Sequence, residues 1–214
     1  MSLKVVIVDD HEVAREGLAA LLRASGFTIA QLCADVESAV TFLKSLNPVD
    51  VLLVDVRIPG SGGLAILEKL REFDSKIPVV FVSSYDNPTY IARAAALGAR
   101  DYLLKSGLRN NLHRCITLAV EGSCPPEGSR LAEVRQMMAE QVDVSTLPPE
   151  LPLTSREAQV LRHVALGLSN KEIARSLKIS VETVKEHVQN VLRKINAADR
   201  TDAAVRAVRL GIVG

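Results

Sequence analysis

Four short apolar stretches of the chain end in polar side chains of types that take part in chemistry. In chain order these side chains are Asp9 with Asp10, then Asp55, Ser83 and Lys105. If the stretches are parallel strands of one sheet, their carboxyl ends meet at the edge where open α/β sheets place their reacting groups. The sequence therefore predicts a site that combines three carboxylates, a hydroxyl and an ammonium group.

The chemistry of this group of side chains points to a cation and a phosphoryl group. Three neighbouring carboxylates repel one another, and a small hard cation that keeps several waters, Mg²⁺, relieves that repulsion. Lys105 can balance the charge of an incoming phosphoryl group, and a carboxylate can itself accept one. Asp55 is the best-placed nucleophile because it follows the central stretch. For Asp9 and Asp10 alone, the alternative is that they cap the following helix.

The elements that must position these groups are strands alternating with helices. The stretch Val51–Val54 before Asp55 has four apolar residues without alternation, which is typical of a strand buried on both faces. Pro59 and Gly60 end that segment. Residues 1–121 contain five such strand-and-helix pairs, so we expect an α/β domain built on a doubly wound, five-stranded parallel sheet with right-handed crossovers.

The remainder of the chain changes character twice. Residues 122–149 are punctuated by Gly and Pro and are predicted to be a linker with a possible short helix from Arg130 to Gln141. Residues 150–214 show no strand pattern, and two short helices about three residues apart predict an all-α helix-turn-helix domain. Residues Thr154 to Glu157 form a capping box, and three further helices are predicted to begin after Ser169, Ser180 and Asp199.

The composition is that of an ordinary globular protein, with 48% hydrophobic and 24% charged residues. The net charge of +1 hides an asymmetry, because residues 150–214 carry eleven basic and seven acidic side chains. No apolar run approaches the roughly 18 residues of a membrane span, and no signal peptide is visible. We therefore expect a cytoplasmic protein with no membrane partner. We also expect reduced thiols, buried at Cys33 and Cys115 and exposed at Cys124.

The helix predicted after Ser180 has two distinct faces, one formed by Val, Leu and Ile and the other polar. If this helix enters a major groove, Gln189 and Asn190 suit adenine edges and Arg193 suits guanine or phosphate. The alternative is that the polar face is only solvated. The residues predicted to bind double-stranded DNA are Thr183, Lys185, Glu186, Gln189, Asn190, Arg193 and Lys194.

The first 121 residues resemble the receiver domain of two-component response regulators. Val8-Asp9-Asp10-His11, Asp55-Val-Arg-Ile-Pro-Gly60, Ser83 and Tyr102-Leu-Leu-Lys105 carry this resemblance in the family's order. Ser83 stands where many members have threonine, and the hydroxyl is retained.

The resemblance implies functions for several of these positions. It implies that Asp55 accepts a phosphoryl group from a sensor histidine kinase, and that Ser83 and Tyr102 change conformation while Lys105 contacts the phosphoryl group. It implies no other enzymatic activity than self-phosphorylation and autodephosphorylation at Asp55. The implied Mg²⁺ ligands are Asp9, Asp10, Asp55 and the backbone carbonyl of Arg57.

Residues 150–214 resemble the DNA-binding domain of NarL/FixJ (LuxR-type) regulators, through Leu153–Glu157, Gly167–Ala174 and Thr183–Val188. This resemblance favours Lys185, Glu186 and Gln189 as the groove-facing residues. It also implies a transcriptional regulator that forms a homodimer when phosphorylated, with a contact on the last helix. The small apolar residues there are Ala204, Val205 and Val208.

Other interpretations fit the sequence less well. The run Gly60–Gly63 lacks the GxGxxG pattern and does not follow the first strand, which argues against a dinucleotide-binding enzyme. A phosphatase of the haloacid dehalogenase type needs a second Asp two residues after its nucleophile, where this chain has Arg57. The four histidines lack metal or triad spacing. A receiver that switches without phosphorylation stays open as an alternative.

Overall fold

The computed structural model describes residues 2–45, 47–147 and 151–213 of the chain. They form two compact units, one from residues 1–87 and 97–133 and the other from residues 88–96 and 134–214. The predicted boundary between linker and carboxyl-terminal domain, at residues 149 and 150, lies outside the described residues. The sequence also predicts a second helix from about Val36 to Leu46, and its last residue lies outside the described residues.

The first unit contains a five-stranded, wholly parallel sheet with the strand order β2-β1-β3-β4-β5. This confirms the predicted α/β class and sheet. The first strand pairs with two neighbours, and the chain then winds outward to β5, as crossovers by helices require. The strands are β1 (Lys4–Val8), β2 (Thr28–Cys33), β3 (Val51–Asp55), β4 (Val79–Ser83) and β5 (Asp101–Leu104).

The register of the strands brings their polar ends to one edge. Val8 lies beside Val54, and Asp55 lies beside Val82. Every residue of β3 and of β4 is buried, which explains the absence of alternation in their sequences. Asp55 and Ser83 therefore lie at the ends of fully buried strands.

In the described residues up to Leu147, six helices follow the strands or lead away from the sheet. α1 buries Leu18, Ala19 and Leu22 on one face, at the i, i+1, i+4 positions of an amphipathic helix. A 3₁₀ turn at Lys105–Gly107 separates β5 from α5. The helices are α1 (Glu12–Ala24), α2 (Val36–Lys44), α3 (Ala65–Glu72), α4 (Pro88–Leu97), α5 (Leu108–Glu121) and α6 (Arg130–Ala139).

Residues 151–213 form four helices, as the sequence predicts. The four predicted capping side chains each accept a backbone N–H hydrogen bond at a helix start, and Thr154 with Glu157 completes a capping box. Lys178, in the left-handed region with a φ of 54°, ends the first helix of the helix-turn-helix. The helices are α7 (Ser155–Ala165), α8 (Asn170–Leu177), α9 (Val181–Lys194) and α10 (Arg200–Arg209).

The three thiols have the predicted environments. Cys33 and Cys115 are free and buried, whereas Cys124 is free and exposed. Within the described ranges, no helix is both long enough and apolar enough to cross a bilayer.

Candidate functional site

Two of the predicted strand-end residues, Asp9 and Asp55, meet around the ammonium group of Lys105. Its Nζ lies 2.7 Å from a carboxylate oxygen of Asp9 and 2.7 Å from one of Asp55. Burial alone would lower the pKa of Lys105, but the hydrogen bonds and charges of Asp55 and Asp9 together raise it. Lys105 therefore stays charged and joins the ends of β1, β3 and β5.

Asp55 is held on both of its oxygens. Oδ1 accepts from Lys105, and Oδ2 accepts from the backbone N–H of Arg57 at 2.7 Å. The residue as a whole is only 6% exposed. A carboxylate with both oxygens held by donors is fixed in orientation, which is what a nucleophile at the end of a strand needs.

The glycine run after β3 serves close packing against Asp55. A side chain at Gly63 would begin 1.8 Å from the backbone oxygen of Asp55, and the Gly63 N–H donates to the carbonyl of Val56 at 3.0 Å. Gly60 and Gly62 have φ values of 81° and 76°, which favour glycine. The glycines therefore allow the loop after β3 to pack directly against the backbone of Asp55 and Val56.

Asp9 and Asp10 do not cap α1, so the alternative interpretation of this pair is wrong. The capping position is His11, whose side chain makes no capping bond. Asp9 is fully buried and accepts from the His11 N–H at 2.9 Å, while Asp10 lies 3.0 Å from His11 Nδ1. The second oxygen of Asp9 contacts Lys105 in the site, whereas Asp10 contacts only the His11 side chain among the contacts of the described residues.

Asp9, Asp10 and His11 offer ligand atoms that lie within 4.8 Å of one another. Sequence reasoning missed His11, although its place directly after the acidic pair was a signal. The carboxylate oxygens suit a hard cation such as Mg²⁺. The three acidic side chains of Asp9, Asp10 and Asp55 also outnumber the one basic side chain of Lys105. The donor set thus fits the predicted ion. The predicted ligand set, which adds Asp55 and the Arg57 carbonyl, stays a prediction.

Ser83 and Tyr102 are brought together by a residue that the sequence did not reveal, Tyr85. Ser83 Oγ accepts from the Tyr85 N–H at 3.1 Å, and the Tyr102 hydroxyl donates to the Tyr85 carbonyl at 3.0 Å. Ser83 and Tyr102 are both buried, so the Tyr102 ring is already turned inward. The Arg57 guanidinium lies over the exposed Tyr85 ring, 5.0 Å from its centroid.

The polar face of α9 is largely exposed, as a DNA-binding surface requires. Its apolar face is anchored by the buried residues Val184 and Val191. Lys194 differs from the other predicted DNA contacts, because its Nζ pairs with Glu157 in the capping box at 2.7 Å. Among the predicted contacts, Lys185, Glu186, Gln189 and Arg193 are exposed, and Thr183, Asn190 and Lys194 are half-buried.

The predicted dimer surface on α10 is accessible in the single chain. Ala203 and Ala207 face the core of the helical unit. Val205 and Val208 point away from it and are 45% and 58% exposed, whereas Ala204 is half-buried. Two of the three predicted residues thus form an exposed apolar strip.

Two family models match the chain. One, described as the response regulator receiver domain, matches residues 5–117. The other, described as bacterial regulatory proteins of the luxR family, matches residues 151–207. The first therefore contains all of Asp9, Asp10, Asp55, Ser83, Tyr102 and Lys105, which we call the sheet-edge site. The second contains α7 to α9 and most of α10.

Similar proteins align over almost the whole chain. The transcriptional regulatory protein LnrK of Bacillus subtilis (strain 168) is 33% identical over 217 residues, which cover 98% of each chain. LiaR of the same organism is 32% identical and covers 99% of each chain. Both are named as transcriptional regulatory proteins.

Solved structures give the same fold. The response regulator ChrA of a heme-sensing two-component system is 28% identical, with a TM-score of 0.52 and 99% of each chain covered. RcsB in a complex with DNA has a TM-score of 0.56 at 19% identity, with 97% of this chain and 98% of that chain covered. The second likeness shows the fold alone.

Proposed function

This chain belongs to the response regulators that join a receiver domain to a luxR-type DNA-binding domain, and we propose that phosphorylation of Asp55 controls its binding to DNA. The observation that carries this proposal is the pair of 2.7 Å contacts from Lys105 to Asp9 and Asp55. Buried, mutually coupled charges at the ends of parallel strands are characteristic of functional sites.

In the proposed reaction, an oxygen of the Asp55 carboxylate attacks the phosphorus atom of a phosphohistidine on a sensor kinase. An acyl phosphate bond forms, and the bond from phosphorus to the imidazole nitrogen breaks. The Arg57 N–H holds the second carboxylate oxygen in place. Lys105 then exchanges its contact with Asp55 for one with a phosphoryl oxygen, which a charged ammonium favours.

Asp9, Asp10 and Asp55, with the carbonyl of Arg57, would hold Mg²⁺. The ion supplies positive charge beside the transferred phosphoryl group. His11 contributes by fixing the Asp10 carboxylate through its Nδ1. The proposal therefore makes phosphorylation dependent on Mg²⁺, because three carboxylates otherwise repel an anionic donor.

The assignment of Asp55 is tested with a small phosphodonor. The intact mass of the protein, followed over time with Mg²⁺ and with a chelator, should show a single phosphoryl group that appears only with Mg²⁺. Asp55→Asn should take up none, whereas Asp74→Asn, the same change at an exposed turn, should behave like the parent. Equal labelling of Asp55→Asn would contradict the assignment.

The proposed switch operates through Ser83. A phosphoryl group adds roughly −1.5 to −2 charge, which attracts the Ser83 hydroxyl and changes its contact with the Tyr85 N–H. Because Tyr102 is already inward, the change that we propose for it is in its hydrogen bond to Tyr85. Ser83→Ala should still be phosphorylated, but its DNA binding should respond weakly. Full activation of that variant would show that the hydroxyl is dispensable.

The proposed DNA surface is the exposed face of α9, entering a major groove of double-stranded DNA with Lys185, Glu186 and Gln189 foremost. Thr183, Asn190 and Arg193 are proposed to contact the same site. Lys194 contributes less, because its ammonium group is paired with Glu157. With DNA as the target, we place the protein in the cytoplasm of a bacterial cell.

A homodimer on DNA is proposed to form through Ala204, Val205 and Val208 of α10. Two-fold symmetry would then require an operator of two inverted half-sites. Val205→Asp should weaken binding to two half-sites without affecting phosphorylation. Mass measurement in solution, with and without such DNA, tests this: a variant that dimerises on DNA as well as the parent would contradict the surface.

A further inference from the structure

We propose that the first turn of α6 senses the phosphorylation state through an ion pair between Arg130 and Asp86. Asp86 lies in the loop of residues 84–87 between β4 and α4, which we call the switch loop. This inference rests on the proposed function of Asp55, because it names the path by which the phosphoryl group acts on the linker.

The first turn of α6 is tied to the sheet by a buried anchor. Ser129 Oγ donates to Asp101 Oδ1 at 2.5 Å, and Asp101 is only 1% exposed. The same carboxylate accepts from the Tyr102 N–H at 2.8 Å and from the Cys115 thiol at 3.0 Å. Burial and the Asp101 charge raise the pKa of Cys115, which keeps the thiol protonated as a donor. Three hydrogen-bond donors therefore hold the Asp101 carboxylate in one position.

The second tie is exposed and therefore exchangeable. Arg130 Nε lies 3.1 and 3.2 Å from the two carboxylate oxygens of Asp86. Both side chains are about 40% exposed, at 40% and 42%, so water and salt screen the pair. Glu133, one turn along α6, accepts from Nη1 of the same guanidinium group, so Arg130 bridges the two carboxylates. A small displacement of Asp86 is therefore enough to leave Arg130 on Glu133 alone.

The position of Asp86 depends on the residues that the phosphoryl group would disturb. Tyr85, its neighbour in the chain, is held by Ser83 on its N–H and by Tyr102 on its carbonyl. If Ser83 turns toward the phosphoryl group, Tyr85 loses the first of these contacts, and the switch loop shifts. Arg130 then leaves Asp86, while Ser129 stays on Asp101.

The consequence is that the first turn of α6 loosens, while Ser129 keeps its hydrogen bond to Asp101. The division between the two compact units falls inside α6, directly after Glu133. A loosened first turn therefore lies on the segment of chain that leads to the DNA-binding domain. The Arg130–Asp86 pair would stabilise the unphosphorylated state, and its loss would accompany activation.

The test is hydrogen exchange by mass spectrometry on the full chain, with and without a small phosphodonor and Mg²⁺. In the parent, phosphorylation should speed amide exchange in residues 130–133 roughly two- to fivefold, the range expected for loss of one exposed ion pair. Asp86→Asn should show the faster exchange without phosphorylation. The matched control Asp74→Asn should not, because it removes a charge from an exposed turn of the same unit.

Phosphoryl uptake measured on the same samples separates the two proposals. If Asp55 is labelled but exchange at α6 is unchanged, the sensing role of α6 is wrong and the function of Asp55 stands. If Asp55 is not labelled, the proposed function fails, and the Asp86→Asn sample still decides whether the ion pair holds the first turn. Equal exchange in Asp86→Asn and the parent would overturn the inference by itself. Arg130→Gln should reproduce Asp86→Asn and must do so for the inference to stand.

Discussion

The sheet-edge site and the exposed face of α9 use charge in opposite ways. At the sheet edge, Asp9 and Asp55 are buried and share one ammonium group, at 2.7 Å in each case. On α9, Lys185 and Glu186 are exposed, and their helix is held by its apolar face and its cap. Transfer of a phosphoryl group needs atoms fixed in advance, whereas DNA binding needs charge that can replace counterions.

The largest difference should appear when one lysine of each region is changed to methionine. Lys105→Met leaves Asp9 and Asp55 without their shared partner, and loss of one member of a buried ion pair costs roughly 3–5 kcal/mol. Urea unfolding in the presence of a chelator, followed by circular dichroism, should therefore show a strongly destabilised protein. Added Mg²⁺ should restore more stability to this variant than to the parent.

The matched variant Lys185→Met removes an exposed lysine from α9 and should change the free energy of unfolding by less than about 0.5 kcal/mol. Equal losses for the two variants would break the contrast between the regions. A stable Lys105→Met protein would show that Asp9 and Asp55 tolerate each other without the ammonium group.

A second contrast concerns the backbone beside Asp55. Gly63→Ala places a methyl group 1.8 Å from the Asp55 carbonyl oxygen, and overpacking of this kind costs roughly 1–3 kcal/mol. It should also reduce phosphoryl uptake, because the strand end must shift. Gly17→Ala, in α1 with open space around it, should gain roughly 0.5–1 kcal/mol instead. Thermal unfolding of both variants checks this, and an unperturbed Gly63→Ala protein would contradict it.

Local signals account for the parts that the sequence predicted well. A capping side chain and its target lie within three residues, so Thr154, Ser169 and Ser180 could be identified as helix starts from the sequence alone. The polar ends of β1, β3 and β4 were equally visible, because an apolar run followed by a polar residue is a local pattern. Their convergence followed from the topology of a parallel sheet.

Contacts between residues distant in sequence were not predictable in this way. Tyr85 bridges Ser83 and Tyr102 through its backbone, and no side-chain pattern encodes a backbone contact. Lys194 was predicted to bind DNA from its place on the helical wheel, but Glu157 lies within reach of its ammonium group. The wheel describes one helix and contains no information about its neighbours.

The helical unit also contains a buried titratable group that is neutral, in contrast to Lys105. His163 is fully buried between the Gln159 carbonyl and the Ser176 hydroxyl, and burial lowers its pKa below 6.5. His163 therefore binds a proton less readily in the folded protein than in the unfolded chain. Stability should be complete above about pH 6.5 and decrease below it, by up to about 1.4 kcal/mol per pH unit.

Urea unfolding between pH 5 and 8 measures this dependence. His163→Gln should show a flatter profile than the parent, because the group that the folded protein keeps neutral is removed. If His163→Gln retains the full loss of stability at low pH, another group is responsible for it.

The smallest effects should come from the α9 surface. If Lys185 contacts only phosphate, Lys185→Ala should weaken DNA binding for all sequences and lower the salt slope by about one unit. Gln189→Ala should alter the preferred sequence if it reads a base edge. Binding titrations at several salt concentrations test the prediction for Lys185→Ala. Selection of preferred sites from random duplexes tests the prediction for Gln189→Ala. An unchanged sequence profile would remove Gln189 from the set of base contacts.

The most direct test of the central claim is the affinity for a selected duplex, measured with the parent and Asp55→Asn after identical treatment with phosphodonor and Mg²⁺. Phosphorylation should tighten binding of the parent by at least about fivefold, a modest coupling between two sites. Asp55→Asn should retain the affinity of the untreated parent. If both proteins bind equally tightly with and without treatment, phosphorylation of Asp55 does not control DNA binding.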